Sequence, residues 1–258
     1  LPSGKPVVIN ADGTVSVVAQ TGTSGFKGTA VVFETANIGP TSTVYDANAQ
    51  KIVVVYEDDG NSSYGTAVVG TVSGTSISFG TPVVFDSVNC EIDRNAAVYD
   101  ANAQKIVIAY RVISPQNGRA IVGTVSGTSI SFGSATAFNS GESREVSAVY
   151  DANSQKIAVA YRDGSNSDYG TAIVGTVSGT SISFGSDTVF ESANTERIGI
   201  AYDANAQKVV IVYSDGGNSS YGTAIVGTIS STSISFGSAV VFENADSRSI
   251  ITTYDASA

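Results

Sequence analysis

Three short stretches concentrate groups able to do chemistry: EDDGNSSYGT from Glu57, RDGSNSDYGT from Arg162 and SDGGNSSYGT from Ser214. Each holds an acidic residue, an asparagine and a tyrosine at constant offsets: Asp58, Asn61 and Tyr64; Asp163, Asn166 and Tyr169; Asp215, Asn218 and Tyr221. Carboxylate and amide groups beside an aromatic face suit a sugar, whose hydroxyls need directional hydrogen bonds and whose C–H faces stack on a ring. The same residue types also turn a chain, Asp and Asn bonding backbone amides while Tyr covers a sheet edge. Two related connections lack the set. RVISPQNGR from Arg111 to Arg119 has neither Asp nor Tyr, and the N-terminal piece offers only Asn10-Ala11-Asp12-Gly13.

Other groups narrow the chemistry. The chain has no histidine, so Ser-His-Asp and Cys-His arrangements and imidazole metal sites are excluded within it. Cys90, the single cysteine, has no histidine to activate it and no partner for an internal disulfide. Asp58 with Asp59, or Asp163 with Asp168, could offer oxygens to calcium, but neither spacing is that of a calcium loop, and no metal or cofactor is expected. Arg94, Arg144, Arg197 and Arg248 stand five or six residues before successive Tyr-Asp markers, among many carboxylates. They could clamp an anionic group or form rim ion pairs. Asn61-Ser62-Ser63 and Asn218-Ser219-Ser220 match the glycosylation pattern.

The elements that position these groups come from a repeat. Tyr-Asp, followed in most copies by Ala-Asn-Ala-Gln-Lys, begins at Tyr45, Tyr99, Tyr150, Tyr202 and Tyr254, at spacings of 54, 51, 52 and 52 residues in a chain of 258. Each unit offers a stretch ending in Val-Tyr-Asp or a variant of it, then KIVVVY or KIVIAY, then GTAIVGTVSG, then TSISFG with a closing Val-Phe or Ala-Phe. Such β-branched and aromatic runs, bounded by Gly, Ser, Asn and Asp, read as four antiparallel strands. Ile106 to Tyr110 is apolar on both faces, as a sheet between two others requires. The N-terminal residues supply PVVIN, VSVVAQ and GTAVVF, while Ser249 to Asp255 supplies a lone first strand.

These features predict an all-β, single-domain five-bladed β-propeller over 1–258. Its fifth blade would be shared between residues 5–34 and 248–256, and pairing of the N- and C-terminal strands would close the ring. Asp46, Asp100, Asp151, Asp203 and Asp255 open the same hairpin in every copy. Five equivalent carboxylates fit a turn role better than catalysis, which needs acid and base in different environments.

D-x-G-x-S at Asp215, Gly217 and Ser219, and at Asp58, Gly60 and Ser62, is similar to part of the Asp-box of sialidase-like propellers. It sits on a different connection, with Tyr one position late for that motif's Trp, so no catalytic residue carries over. In blade number and repetition the chain resembles tachylectin-2-type lectins, which implies sugar binding at repeated sites, although it has no Trp.

The expectation is a non-catalytic, lectin-like module with glycans or glycosylated surfaces as partners. The alternatives are a structural or adhesive surface, virion or matrix component and a glycosidase-like enzyme. With 13 basic and 23 acidic side chains, a net charge of −10 repels nucleic acid. Apolar runs reach five residues, far short of a membrane span. The absence of methionine and the start at Leu1 lead to the expectation of a processed, extracellular or surface-associated protein.

Overall fold

A computed structural model describes residues 7–9, 15–17, 28–93 and 96–254. The first repeat contributes β3 (Ile38–Asp46), β4 (Lys51–Asp58), β5 (Tyr64–Ser73) and β6 (Ser76–Phe79), with β7 (Val83–Glu91) leading onward. In the second are β8 (Ala97–Asp100), β9 (Lys105–Val112), β10 (Asn117–Ser126), β11 (Ser129–Phe132) and β12 (Thr136–Asn139). β13 (Ser143–Asp151), β14 (Lys156–Asp163), β15 (Tyr169–Ser178) and β16 (Ser181–Phe184) form the third, and β17 (Thr188–Asp203) continues into the fourth, with β18 (Lys208–Asp215), β19 (Tyr221–Ser230), β20 (Ser233–Phe236) and β21 (Val240–Asp246). At the N-terminus, β1 (Val7–Ile9) pairs with β2 (Val15–Val17).

Every ladder is antiparallel. Within each repeat the first strand lies beside the second and the second beside the third, whose other edge is shared by two short pieces, as β6 and β7 share β5. The hairpin joining first and second strands is set by its aspartate: Asp46 Oδ1 accepts from the amides of Asn48 and Ala49 at 2.9 and 2.8 Å. Asp100, Asp151 and Asp203 do the same in their repeats, so the turn role read from their equivalence is what they perform; Asp255 lies outside the described residues.

Repeats stack face to face. β9 is buried on both sides: Ile106, Ile108 and Tyr110 pack with Val53, Val55 and Val69 of the first repeat, while Val107 and Ala109 pack with Ile157, Val159 and Tyr161 of the third. Alternation of side chains along the strand separates the two sets, and each fully buried Ile or Val contributes about 1.5–3 kcal/mol. Ala158 and Ala160 face the fourth repeat in a third core with Ile211, Tyr213 and Ile225.

The five-bladed closed ring expected from the marker count is overturned. Strand pairing yields one sheet of ten strands, β3 to β12, one of nine, β13 to β21, and the separate two-stranded β1–β2. The two large sheets arise because β7 pairs first with β5 and then, through Cys90 and Glu91, with β9, and β17 passes likewise from β15 to β18. Between the second and third repeats Ser140-Gly141-Glu142 interrupts that path. Closure fails at the ends: β1 and β2 pair only with each other among the described residues, and Ser247–Tyr254, including Ile251, forms no strand. The physical reason lies in the N-terminal piece. Its β1–β2 register is that of β4–β5, but it has Asn10 where other repeats have the buried Tyr, and Gly25 and Lys27 where they have Ile and Phe.

Candidate functional site

The connection between second and third strands begins and ends on a cross-strand pair. Asp58 lies opposite Tyr64, Asp163 opposite Tyr169 and Asp215 opposite Tyr221, which brings the two side chains of each pair to neighbouring positions on one face. Asn61, Asn166 and Asn218 lie within the loops and are exposed, while the three tyrosines are half-buried. The structure therefore assembles each predicted set locally, in three separate places. Asn10–Gly13 lies outside the described residues, and in the second repeat Val112 faces Asn117 instead.

The loops fold this way for local reasons. Asp59–Asn61 and Gly216–Asn218 form single 3-10 turns that end on Ser62 and Ser219 in the left-handed conformation, φ 60° and 56°. Asp215 caps its turn by accepting from the amide of Gly217 at 2.9 Å. Asp163 is buried, and its Oδ1 accepts from the amide of Ser165 at 3.0 Å and from Asn139 Nδ2 at 3.2 Å. Asp58 makes no side-chain cap bond. Turn chemistry thus engages two of the three predicted carboxylates.

Sequence reasoning missed one residue of each site, on the strand that pairs with the other edge of the third. Asn89, Asn194 and Asp246 stand directly opposite Tyr64, Tyr169 and Tyr221 and are exposed. A visible signal existed: each lies four residues after the closing phenylalanine, Phe85, Phe190 or Phe242. Every site therefore joins a half-buried phenol ring, a loop amide, a strand-end carboxylate and a further amide or carboxylate. That is an open edge offering several acceptors and donors beside one aromatic face.

The predicted arginines make ion pairs. Arg144 Nε donates to Glu142 at 2.7 Å, Arg197 pairs with Glu145 at 3.4 Å and Arg248 with Asp246 at 2.8 Å; Arg94 lies outside the described residues. Further ion pairs, unforeseen, are in the second repeat, where Arg111 bridges Glu91 at 2.8 Å and Glu142 at 2.9 Å and Arg119 meets Asp86 at 3.1 Å. Burial pushes the Cys90 thiol up to about 12, with Glu57 and Asp86 adding to the shift, so it is held as an unreactive thiol. Among the described residues no group of three or more acidic or thiol side chains is arranged to hold a metal ion, and no helix is long and apolar enough to cross a membrane.

A second polar region is a cavity of about 330 Å³ lined by residues of several repeats, Asp93, Glu145 and Arg197 among them. Asp93 Oδ2 accepts from the amide of Val146 at 2.7 Å. Burial raises its carboxyl to about 7, with Glu91 and Glu145 adding to the rise, while that hydrogen bond and Arg111 oppose it.

No protein-family model and no curated protein matches the chain. Solved structures do. AofleA from Arthrobotrys oligospora superposes with a TM-score of 0.52 at 9% identity, over 83% of this chain and 60% of that one. An exo-beta-1,3-galactanase from Phanerochaete chrysosporium, in complex with beta-1,3-galactotriose, superposes with a TM-score of 0.51 at 9% identity, over 92% of this chain and 53% of that one. The likeness is one of fold. The chain spans less than two thirds of the length of either, and the architectural resemblance to tachylectin-2-type lectins rested on a closed ring that the strand pairing does not form.

Proposed function

We propose that the protein is a non-catalytic carbohydrate-binding module that engages glycans or glycosylated surfaces at three equivalent, individually weak sites. The observation that carries this reading is the threefold cross-strand pairing of Asp with Tyr at Asp58–Tyr64, Asp163–Tyr169 and Asp215–Tyr221, with an exposed asparagine in each loop. A phenol ring supplies a stacking face, and the carboxylate and amides supply acceptors and donors at fixed positions. The trisaccharide bound in the fold-related galactanase supports the same ligand class. A single open site buries little ligand, so its affinity is about millimolar, and repetition within one chain supplies avidity for a multivalent surface.

A glycan array with the whole chain, beside the Tyr64→Ala, Tyr169→Ala, Tyr221→Ala triple variant, tests this. Binding by the parent and its loss in the folded triple variant is the expected result. An array without a hit, or undiminished binding by the variant, would leave the loops as turns and favour a structural or adhesive role. No turnover of a panel of aryl glycosides is expected.

A further inference from the structure

The 330 Å³ cavity is separate from the loops and has features of its own. Its wall takes Pro40 from the first repeat, Asp93 from the approach to the second, Glu145 and Ser147 from the third, Arg197 from the fourth and Ser249 from the C-terminal stretch. The volume is at the low end of the roughly 300–1,000 Å³ range of small-molecule pockets, which limits the occupant to a small one.

The polar groups specify its character. Ser147 is 1% exposed, and its hydroxyl has no hydrogen-bond partner among the described residues. A buried hydroxyl left so is unfavourable, and a ligand hydroxyl in the cavity would satisfy it. Both guanidinium groups at the wall are already matched by acid: Arg197 by Glu145 at 3.4 Å and Glu196 at 3.9 Å, Arg248 by Asp246 at 2.8 Å. The described residues therefore offer no unmatched positive charge to an anion. They offer carboxylate acceptors next to guanidinium donors, an arrangement that a hydroxyl, both donor and acceptor, can bridge. Val146, Ile198 and Ile250 add apolar surface to the same wall, suited to the C–H face of a ring. Burial keeps the Asp93 carboxyl protonated up to about pH 7, so in neutral solution it can donate as well as accept.

We propose that this cavity is a second binding site, distinct from the loop face, for one uncharged, monosaccharide-sized ligand that presents neighbouring hydroxyl groups. It takes its donors from Arg197 and Ser147 and its acceptors from Glu145 and Asp93.

The test uses the full chain carrying the three tyrosine-to-alanine changes, so that loop binding is disabled and the failure of one reading does not entail failure of the other. Calorimetric titration with D-galactose, D-glucose and N-acetyl-D-glucosamine, each at millimolar concentrations, is expected to give one site per chain for at least one sugar. In the same background Ser147→Ala should weaken that site by about tenfold, the usual effect of one lost hydrogen bond, and the shape-preserving Glu145→Gln should weaken it by at least as much with the melting curve unchanged. Absence of binding by all three sugars, undiminished binding in both cavity variants, or displacement of the sugar by inorganic phosphate would each overturn the proposal.

Discussion

The third and fourth repeats share the same strand and turn pattern and differ in what covers them. Phe190, after the third repeat, is 8% exposed and stacks on Tyr213 and Phe236 of the fourth at 5.2 and 5.7 Å. Phe242, its counterpart after the fourth, is 56% exposed and borders a cavity of about 620 Å³. A side chain at Gly185 would strike the carbonyl of Thr232 at 1.9 Å, whereas at Gly237 the nearest atom is 3.9 Å away. The same Phe–Tyr contact recurs as Phe33–Tyr56, Phe85–Tyr110 and Phe138–Tyr161 at 5.1 to 5.3 Å. In three of the four junctions the tyrosine hydroxyl also donates to the acid following that phenylalanine, at Glu34, Asp86 and Glu191. An interface between repeats is thus built by a tyrosine arriving from the next copy, and the segment that would bring a fifth has Asn10 in its place.

The largest expected effect follows directly. Phe190→Ala should cost about 3–5 kcal/mol, the usual range for emptying a packed aromatic site. Phe242→Ala should cost less than about 1 kcal/mol, because most of the ring never leaves water. Urea unfolding of the two variants measures the difference. Equal losses would show that Phe242 is covered in solution and would break the comparison.

The repeat unit was legible because the strand runs, the Asp-led turn and the loop sets recur at fixed offsets, and local rules suffice to fold them. Closure was not, because a count of markers gives Asn10, Gly25 and Lys27 the same weight as the Tyr, Ile and Phe they replace, and packing does not. The joining of repeats into two sheets turned on one short difference, FDSVNC and FESANT allowing a strand to run on where FNSGES interrupts it. Asn89, Asn194 and Asp246 were readable from their offset to phenylalanine; only the register showed that they face the tyrosines. The cavity left no consistent trace, since the residue five before the marker tyrosine is in turn Pro40, Arg94, Glu145, Arg197 and Ser249.

The third repeat's other junction, to the second, adds a titratable contact: Asp93 accepting from Val146. The unfolded chain releases this proton above about 3.8, the folded chain only near 7. The resulting stability is fully present below about pH 3.8, declines above it and is lost as pH rises through about 7. Glu91 and Glu145 face the carboxyl with like charge and Arg111 with opposite charge. Asp93→Asn keeps the acceptor and removes the titration. Relative to the parent it should gain on the order of 3 kcal/mol between pH 4 and pH 8. Parallel melting curves of the two proteins across that range would contradict the assignment.

The smallest effect separates the loops of the same two repeats. Asp163 is 7% exposed and accepts two hydrogen bonds, from Ser165 and Asn139, whereas Asp215 accepts one, from Gly217. Asp163→Ala removes two part-buried hydrogen bonds and should cost about 1–3 kcal/mol. Asp215→Ala removes an exposed turn bond and should cost about 0.5–1 kcal/mol. Glycan binding should follow the opposite order, because a carboxylate committed to its turn has less to offer a ligand. Loss of Asp215, and of Asp58, which bonds no turn amide, should therefore weaken array binding more than loss of Asp163 does in variants that remain folded. Undiminished binding by all three would mean that the loops bind through tyrosine and amides alone, with the carboxylates serving only to hold the turns, and equal weakening would break the link between turn bonding and ligand binding.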